Sequence, residues 1–182
     1  MKNKYQYTIF VLFFVLCLPA CDSKSPAGTA DDINTVTTAV SDCGGFAAST
    51  KRAGEDIPFE PDPKTYEDAE RLLWKYEKEA ALLSIMNARV ILNCCGDHRI
   101  SALQEHDTLI IAENDQPEDG SKRCRCLCAF DFFIGLSGVS RRILPLKITL
   151  TVDDSTWTKW QGEIDLAGGC GDIIMPVARA IR

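Results

Sequence analysis

Three cysteines stand at alternate positions in RCRCLCAFDFF, residues 123–133. Thiols this close could hold a soft metal ion, exchange disulfides or brace a fold, and geometry separates these uses. In a regular strand, residues two apart share a face, so Cys124, Cys126 and Cys128 would line up with Phe130 and Phe132. Their Cα atoms would stand about 6.6 Å apart per step, near the upper limit for a disulfide and with side chains parallel. Bridges along the row are therefore not expected. Zinc–thiolate bonds of about 2.3 Å need sulfurs within roughly 4 Å of one another, which an extended C-x-C-x-C does not supply. A looped segment would, and Cu(I) accepts soft ligands. Cys124, Cys126 and Cys128 with Cys94 or Cys95 thus form an alternative copper or zinc site. A thiol oxidoreductase is the third use. It requires a depressed thiol pKa in a basic, exposed setting, whereas Arg123 and Arg125 should lie on the strand face opposite the thiols.

The compartment decides which use is expected, and the other end of the chain sets it. MKNKYQYTIFVLFFVLCLPACDSK has a basic start at Lys2 and Lys4, an apolar run from Ile9 to Leu18, and small residues at Ala20 and Cys21. This is the layout of a secretory signal peptide. The run is shorter than the roughly 20 residues that span a bilayer. Leu18-Pro19-Ala20-Cys21 resembles the lipobox of bacterial lipoproteins. The resemblance covers the first 21 residues. It implies removal of residues 1–20, a diacylglycerol on the Cys21 sulfur, and a chain anchored in a cell membrane facing the periplasm or the exterior. Two or three acyl chains suffice for stable anchoring, at about 0.8 kcal/mol per buried methylene. Asp22 resembles a signal for retention in the inner membrane, a rule that differs between lineages, so inner and outer membrane both stay open.

An exported chain meets an oxidising environment, where disulfides are the default. Loss of Cys17 and lipidation of Cys21 leave seven of the nine cysteines: Cys43, Cys94, Cys95, Cys124, Cys126, Cys128 and Cys170. An odd count leaves at least one outside any internal pair. Cys94 and Cys95 are adjacent and, at a strand end, would face opposite sides. We expect bridges from this pair to the 124–128 row, with Cys43 to Cys170 as a third, since both sit among glycines. Each bridge typically stabilises a fold by about 2–4 kcal/mol. NCC, followed by C-x-C-x-C-x-F-D over residues 93–131, also resembles a pattern recurrent in exported cysteine-rich bacterial lipoproteins. That resemblance implies no activity.

The elements that must position these thiols follow from periodicity. Residues 21–64 are rich in Ser, Thr, Ala, Gly, Pro and Asp and read as a flexible tether. Thr65 with Asp68 opens a helical pattern in which Tyr66, Ala69, Leu72, Leu73, Tyr76, Ala80 and Leu83 make one apolar face. After about Ile85 the period becomes two. Strands are expected over MNARVILNCC, HRISALQE, TLIIAE and ILPLKITLTV, with TWTKWQGEIDL as the hairpin partner of the last. Pro145 marks an edge strand or a strand start. The expected fold class is mainly β with one N-terminal helix, an antiparallel sheet or β-sandwich, stapled by disulfides, spanning residues 65–182.

Catalytic signatures are scarce. His98 and His106 form no helical H-E-x-x-H and read as surface strand or turn residues. IGLSGVS carries Val139 where a nucleophile elbow needs Gly. Asp115, Pro117, Asp119 and Gly120 depart from a calcium loop at Pro117, and Cys126 stands where the bidentate Glu should be. No catalytic residue and no cofactor are implied. Removing Lys2 and Lys4 takes the net charge from −6 to −8, which disfavours nucleic acid and anionic lipid as partners. Trp157 and Trp160, three apart, are expected on opposite strand faces. The exposed one would serve an envelope protein partner. The leading expectation is a membrane-anchored lipoprotein with a structural or binding role.

Overall fold

From residue 70 onward the chain alternates between side chains that prefer water and side chains that do not, and strands result. The structure is a computed structural model that describes residues 32–46, 59, 69–117 and 123–176. Its strands are β1 (Asn34–Val40), β2 (Arg71–Glu77), β3 (Leu82–Asn93), β4 (Gly96–Glu105), β5 (Thr108–Pro117), β6 (Leu127–Ser137), β7 (Ile143–Val152), β8 (Ser155–Asp165) and β9 (Cys170–Ile174). One sheet has the order β1-β6-β3-β2-β9, with every neighbouring pair antiparallel. The other has the order β4-β5-β7-β8 and is mixed, because β5 and β7 run parallel.

The two sheets share one apolar core. Leu72, Leu83, Ile85, Phe132, Ile134 and Leu136 come from the first sheet; Leu109, Ile111, Leu144, Leu146, Ile148 and Ile164 come from the second. Each set recurs at every second residue, so one face of each sheet is removed from water. On the outer face of the first sheet a smaller cluster forms from Met86, Ala88 and Phe133, against which Phe46 and Phe59 pack.

The expected N-terminal helix is corrected. Residues 65–68 lie outside the described residues, and Arg71–Glu77 is strand β2. Leu72, Trp74 and Tyr76 alternate inward toward the core, a period of two that the three-and-four spacing of Leu72, Leu73, Tyr76 and Leu83 conceals. Pairing on both sides, with β3 and with β9, satisfies the β2 backbone as a helix would have. The β2–β3 turn closes through Ala81 at φ 48°.

The signal segment, Cys21 and much of the 21–64 stretch also lie outside the described residues. Within that stretch, however, residues 34–46 are built into the domain: β1 pairs with β6, and the segment after it docks on β6. A tether reading therefore does not hold for 34–46. Pro145 is near the start of β7, one residue before pairing with β5 begins at Leu146. It does not mark an edge, since β7 lies between β5 and β8.

Candidate functional site

Cysteines 124 and 126 precede β6 rather than lying in it, which changes their geometry. The segment is looped, and the two sulfurs come within 3.5 Å of each other. Cys94 and Cys95 form the two-residue turn between β3 and β4, so both, and not one of them, reach this loop. Cys94 is bonded to Cys126 and Cys95 to Cys124, each pair with Cα atoms 5.7 Å apart. Asn93 holds the two segments in register, donating to the Cys124 carbonyl at 2.7 Å and accepting from the Cys95 N–H at 3.0 Å.

The third bridge joins Cys43 to Cys128, with Cα atoms 5.3 Å apart. Cys170 does not meet Cys43; it lies exposed in β9 as a free thiol. Gly44 explains the choice of partner, because its N–H donates to the Ala129 carbonyl at 2.9 Å and lays Cys43 beside β6. Cys128 and Cys94 sulfurs approach to 3.2 Å. Six sulfurs therefore run in one continuous row at the end of the first sheet. The sulfurs of Cys95, Cys124 and Cys126 lie within 4.8 Å of one another, close enough to serve as a soft-ligand set if reduced.

Next to this row is an ionic cluster. Arg123 contacts both Asp115 and Asp153, and His98 Nε2 lies 3.3 Å from Asp115 Oδ1. Burial alone would raise the Asp115 pKa, but His98 and Arg123 outweigh it and hold the carboxylate below its usual range. His98 is not the surface residue expected. Its ring lies against that of Phe130, with centroids 4.0 Å apart and a tilt of 35°. His106 occupies the β4–β5 turn at φ 54°. Arg123 thus acts as an ion-pair clamp.

Asp131 fixes the segment that carries Cys43. It is buried on the outer face of β6, where burial pushes its pKa up although the N–H groups of Arg89 and Phe46 donate to its two oxygens at 2.9 and 2.8 Å. Gly45 permits this approach: at φ 82° a Cβ there would stand 2.6 Å from Asp131 Oδ2. Asp131→Asn keeps one acceptor and turns the other into a donor facing an N–H. It is expected to lower stability by about 1–3 kcal/mol in urea unfolding.

The residues that sequence reasoning missed lie between the sheets. Lys159 is the extra residue of a β-bulge in β8, where Ile148 pairs with Trp160 and Thr149 with Thr158. The bulge also puts Trp157 and Trp160 on the same face, both packed on the core, in place of the opposite faces a regular strand would give. The Lys159 side chain, 3% exposed, contacts Glu113 Oε2 at 2.9 Å and Glu70 Oε1 more closely still. Asn87 Nδ2 donates to Glu113 Oε1 at 2.6 Å and to the same Glu70 oxygen at 2.8 Å. Burial raises the Glu113 pKa. For Lys159, burial acts to lower the pKa, and the two carboxylates more than offset it. One signal was legible: TLIIAE puts Glu113 on the face of Leu109 and Ile111. Glu70, Asn87 and Lys159 carried none.

Comparison with models of protein families, with curated proteins and with solved structures finds no match. Among the described residues no helix is long and apolar enough to cross a membrane.

Proposed function

We propose that this chain is an envelope lipoprotein, held in a cell membrane by acyl chains on Cys21, whose disulfide-stapled β-sandwich has a structural or binding role. The observation that carries the reading is the pairing of Cys43, Cys94, Cys95, Cys124, Cys126 and Cys128 into three bridges. Disulfides persist in exported proteins and are rare where glutathione and thioredoxin act. The lipobox-like LPAC supplies the anchor, and the acidic balance leaves lipid insertion rather than charge as the membrane contact.

Expression of the full chain and of Cys21→Ser in a bacterial host tests this. The parent is expected in the membrane fraction, with an N-terminal peptide carrying diacylglycerol at Cys21. The variant is expected to lose the acyl mass and to leave the membrane fraction. An unmodified Cys21 in the parent would remove the reading.

A second reading rests on the 4.8 Å grouping of Cys95, Cys124 and Cys126. Under reducing conditions these sulfurs become thiolate ligands for Cu(I) or Zn(II). Anaerobic titration of the reduced protein with either ion, read by bound metal per chain, decides it; no stoichiometric uptake ends the reading.

A further inference from the structure

An amine, a carboxamide and two carboxyl groups meet between the sheets. Lys159 Nζ and Asn87 Nδ2 touch the same oxygen of Glu70, and each also touches one oxygen of Glu113. Lys159 is brought there by the β8 bulge and Asn87 by the inward face of β3, where it pairs with Phe132. The Asn87 side chain is fully buried, yet its Oδ1 has no hydrogen-bond partner. A buried acceptor left unpaired is costly and rare. A stable ion pair explains Lys159 and the carboxylates. It does not explain an amide placed against both of them with its carbonyl unsatisfied.

We propose that Lys159 and Asn87 join in an intramolecular isopeptide bond, formed by the chain itself with Glu113 and Glu70 as acid and base. In water the reaction fails because the amine is protonated and the carboxamide is a poor electrophile. Here the two carboxylates hold the lysine proton more tightly than water does, so its loss is coupled to attack: Glu70, in direct contact with the ammonium, takes a proton as Nζ attacks Asn87 Cγ. Burial raises the Glu113 pKa, and in its protonated form Glu113 is a hydrogen-bond donor. Turning the amide end for end exchanges two nearly isosteric groups and sets Oδ1 on that donor, which polarises the carbonyl. The Nζ–Cγ bond forms, the Cγ–Nδ2 bond breaks, and two protons from Nζ pass through the carboxyl groups to the leaving nitrogen. The ammonium becomes a secondary amide and one ammonium ion is released, so charge and atoms balance without an oxidant. Holding amine and amide in one geometry supplies effective concentrations far above those in solution. Exclusion of water removes competing hydrolysis. The product ties β3 of one sheet to β8 of the other, and it does not depend on the lipid anchor.

The test is a peptide map of the full-length protein, reduced, alkylated and digested with trypsin. The expected species joins residues 79–89 to residues 148–179, is uncut after Lys159, and is lighter than the two peptides by one ammonia. In Glu113→Gln the joined species is expected to be lost, because removing the acid slows the step by about 10²- to 10⁴-fold. Should that variant fail to fold, the parent map still decides. Separate peptides cut after Lys159 in the parent overturn the proposal. A cross-link lighter by one water also overturns it, since that places the bond on a carboxyl group instead of Asn87.

Discussion

Alanine at both Cys43 and Cys128 is expected to lower the unfolding free energy by about 4 kcal/mol, the largest effect of any one bridge. The bond spans a sequence separation of 85, of which the Cys94–Cys126 bridge inside it already closes off 32. In the chain-entropy account the remaining ring, 85 less 32 or 53, is worth about 4 kcal/mol. The other two bridges behave differently because their ends are almost coincident, one residue apart at Cys94 and Cys95 and two apart at Cys124 and Cys126. Cys94–Cys126 and Cys95–Cys124 have separations of 32 and 29, so either one alone restrains nearly the same length of unfolded chain, worth about 3.6 kcal/mol. Once one is made, the other closes only a small extra ring. Removing either pair singly should therefore cost about 1.5–2 kcal/mol, and removing both about 5 kcal/mol, more than the sum of the single losses. Guanidinium unfolding of the three alanine double variants and the quadruple one checks this. Equal and additive losses from these two pairs would contradict the shared-loop account.

Cys94 and Cys95 were legible as partners of the 124–128 row because export, count and spacing left few other uses. Strands β4 and β5 were legible on either side of His106-Asp107, as were β7 and β8, since each carries a clear alternation bounded by turn residues. β2 was not. Leu72, Leu73, Tyr76 and Leu83 satisfy a helical spacing, and only the inward position of Trp74 breaks the tie, which needs knowledge of the core it faces. β1 was hidden for another reason. NTVTTAV is short and largely exposed, and what orders it is pairing with a strand nearly a hundred residues away. The choice of Cys128 over Cys170 for Cys43 follows from that pairing, so it was no more visible than β1 itself. The bulge at Lys159 left no local signal either, and with it went both tryptophan faces and the inward turn of the lysine.

That inward lysine carries the second large effect. Lys159→Met preserves the length and apolar stem of the side chain and removes the ammonium between Glu70 and Glu113. Breaking a buried ion pair from one side leaves an uncompensated charge, with a typical loss of about 3–5 kcal/mol. That figure belongs to the chain before cross-linking; once Nζ is a secondary amide no ammonium remains, and the variant then loses the β3–β8 tie in place of the ion pair. The pH dependence separates this from a simple packing defect. Glu113 has a folded pKa raised by burial above its ordinary value of 4.5, so above that pH the folded state binds more protons than the unfolded one. Stability from such a group is present at low pH and is lost as pH rises through the folded pKa. Without the lysine, the opposing pull of its positive charge is gone and the carboxyl is pushed higher still. The variant should therefore be least impaired near pH 5 and lose stability progressively toward pH 8. Denaturant unfolding of parent and variant at both values reads the difference. In Lys159→Met combined with Glu113→Gln, this pH slope is expected to shrink, because the group that titrates is no longer there. A Lys159→Met deficit that stays constant from pH 5 to pH 8 would mean that the lysine contributes packing alone.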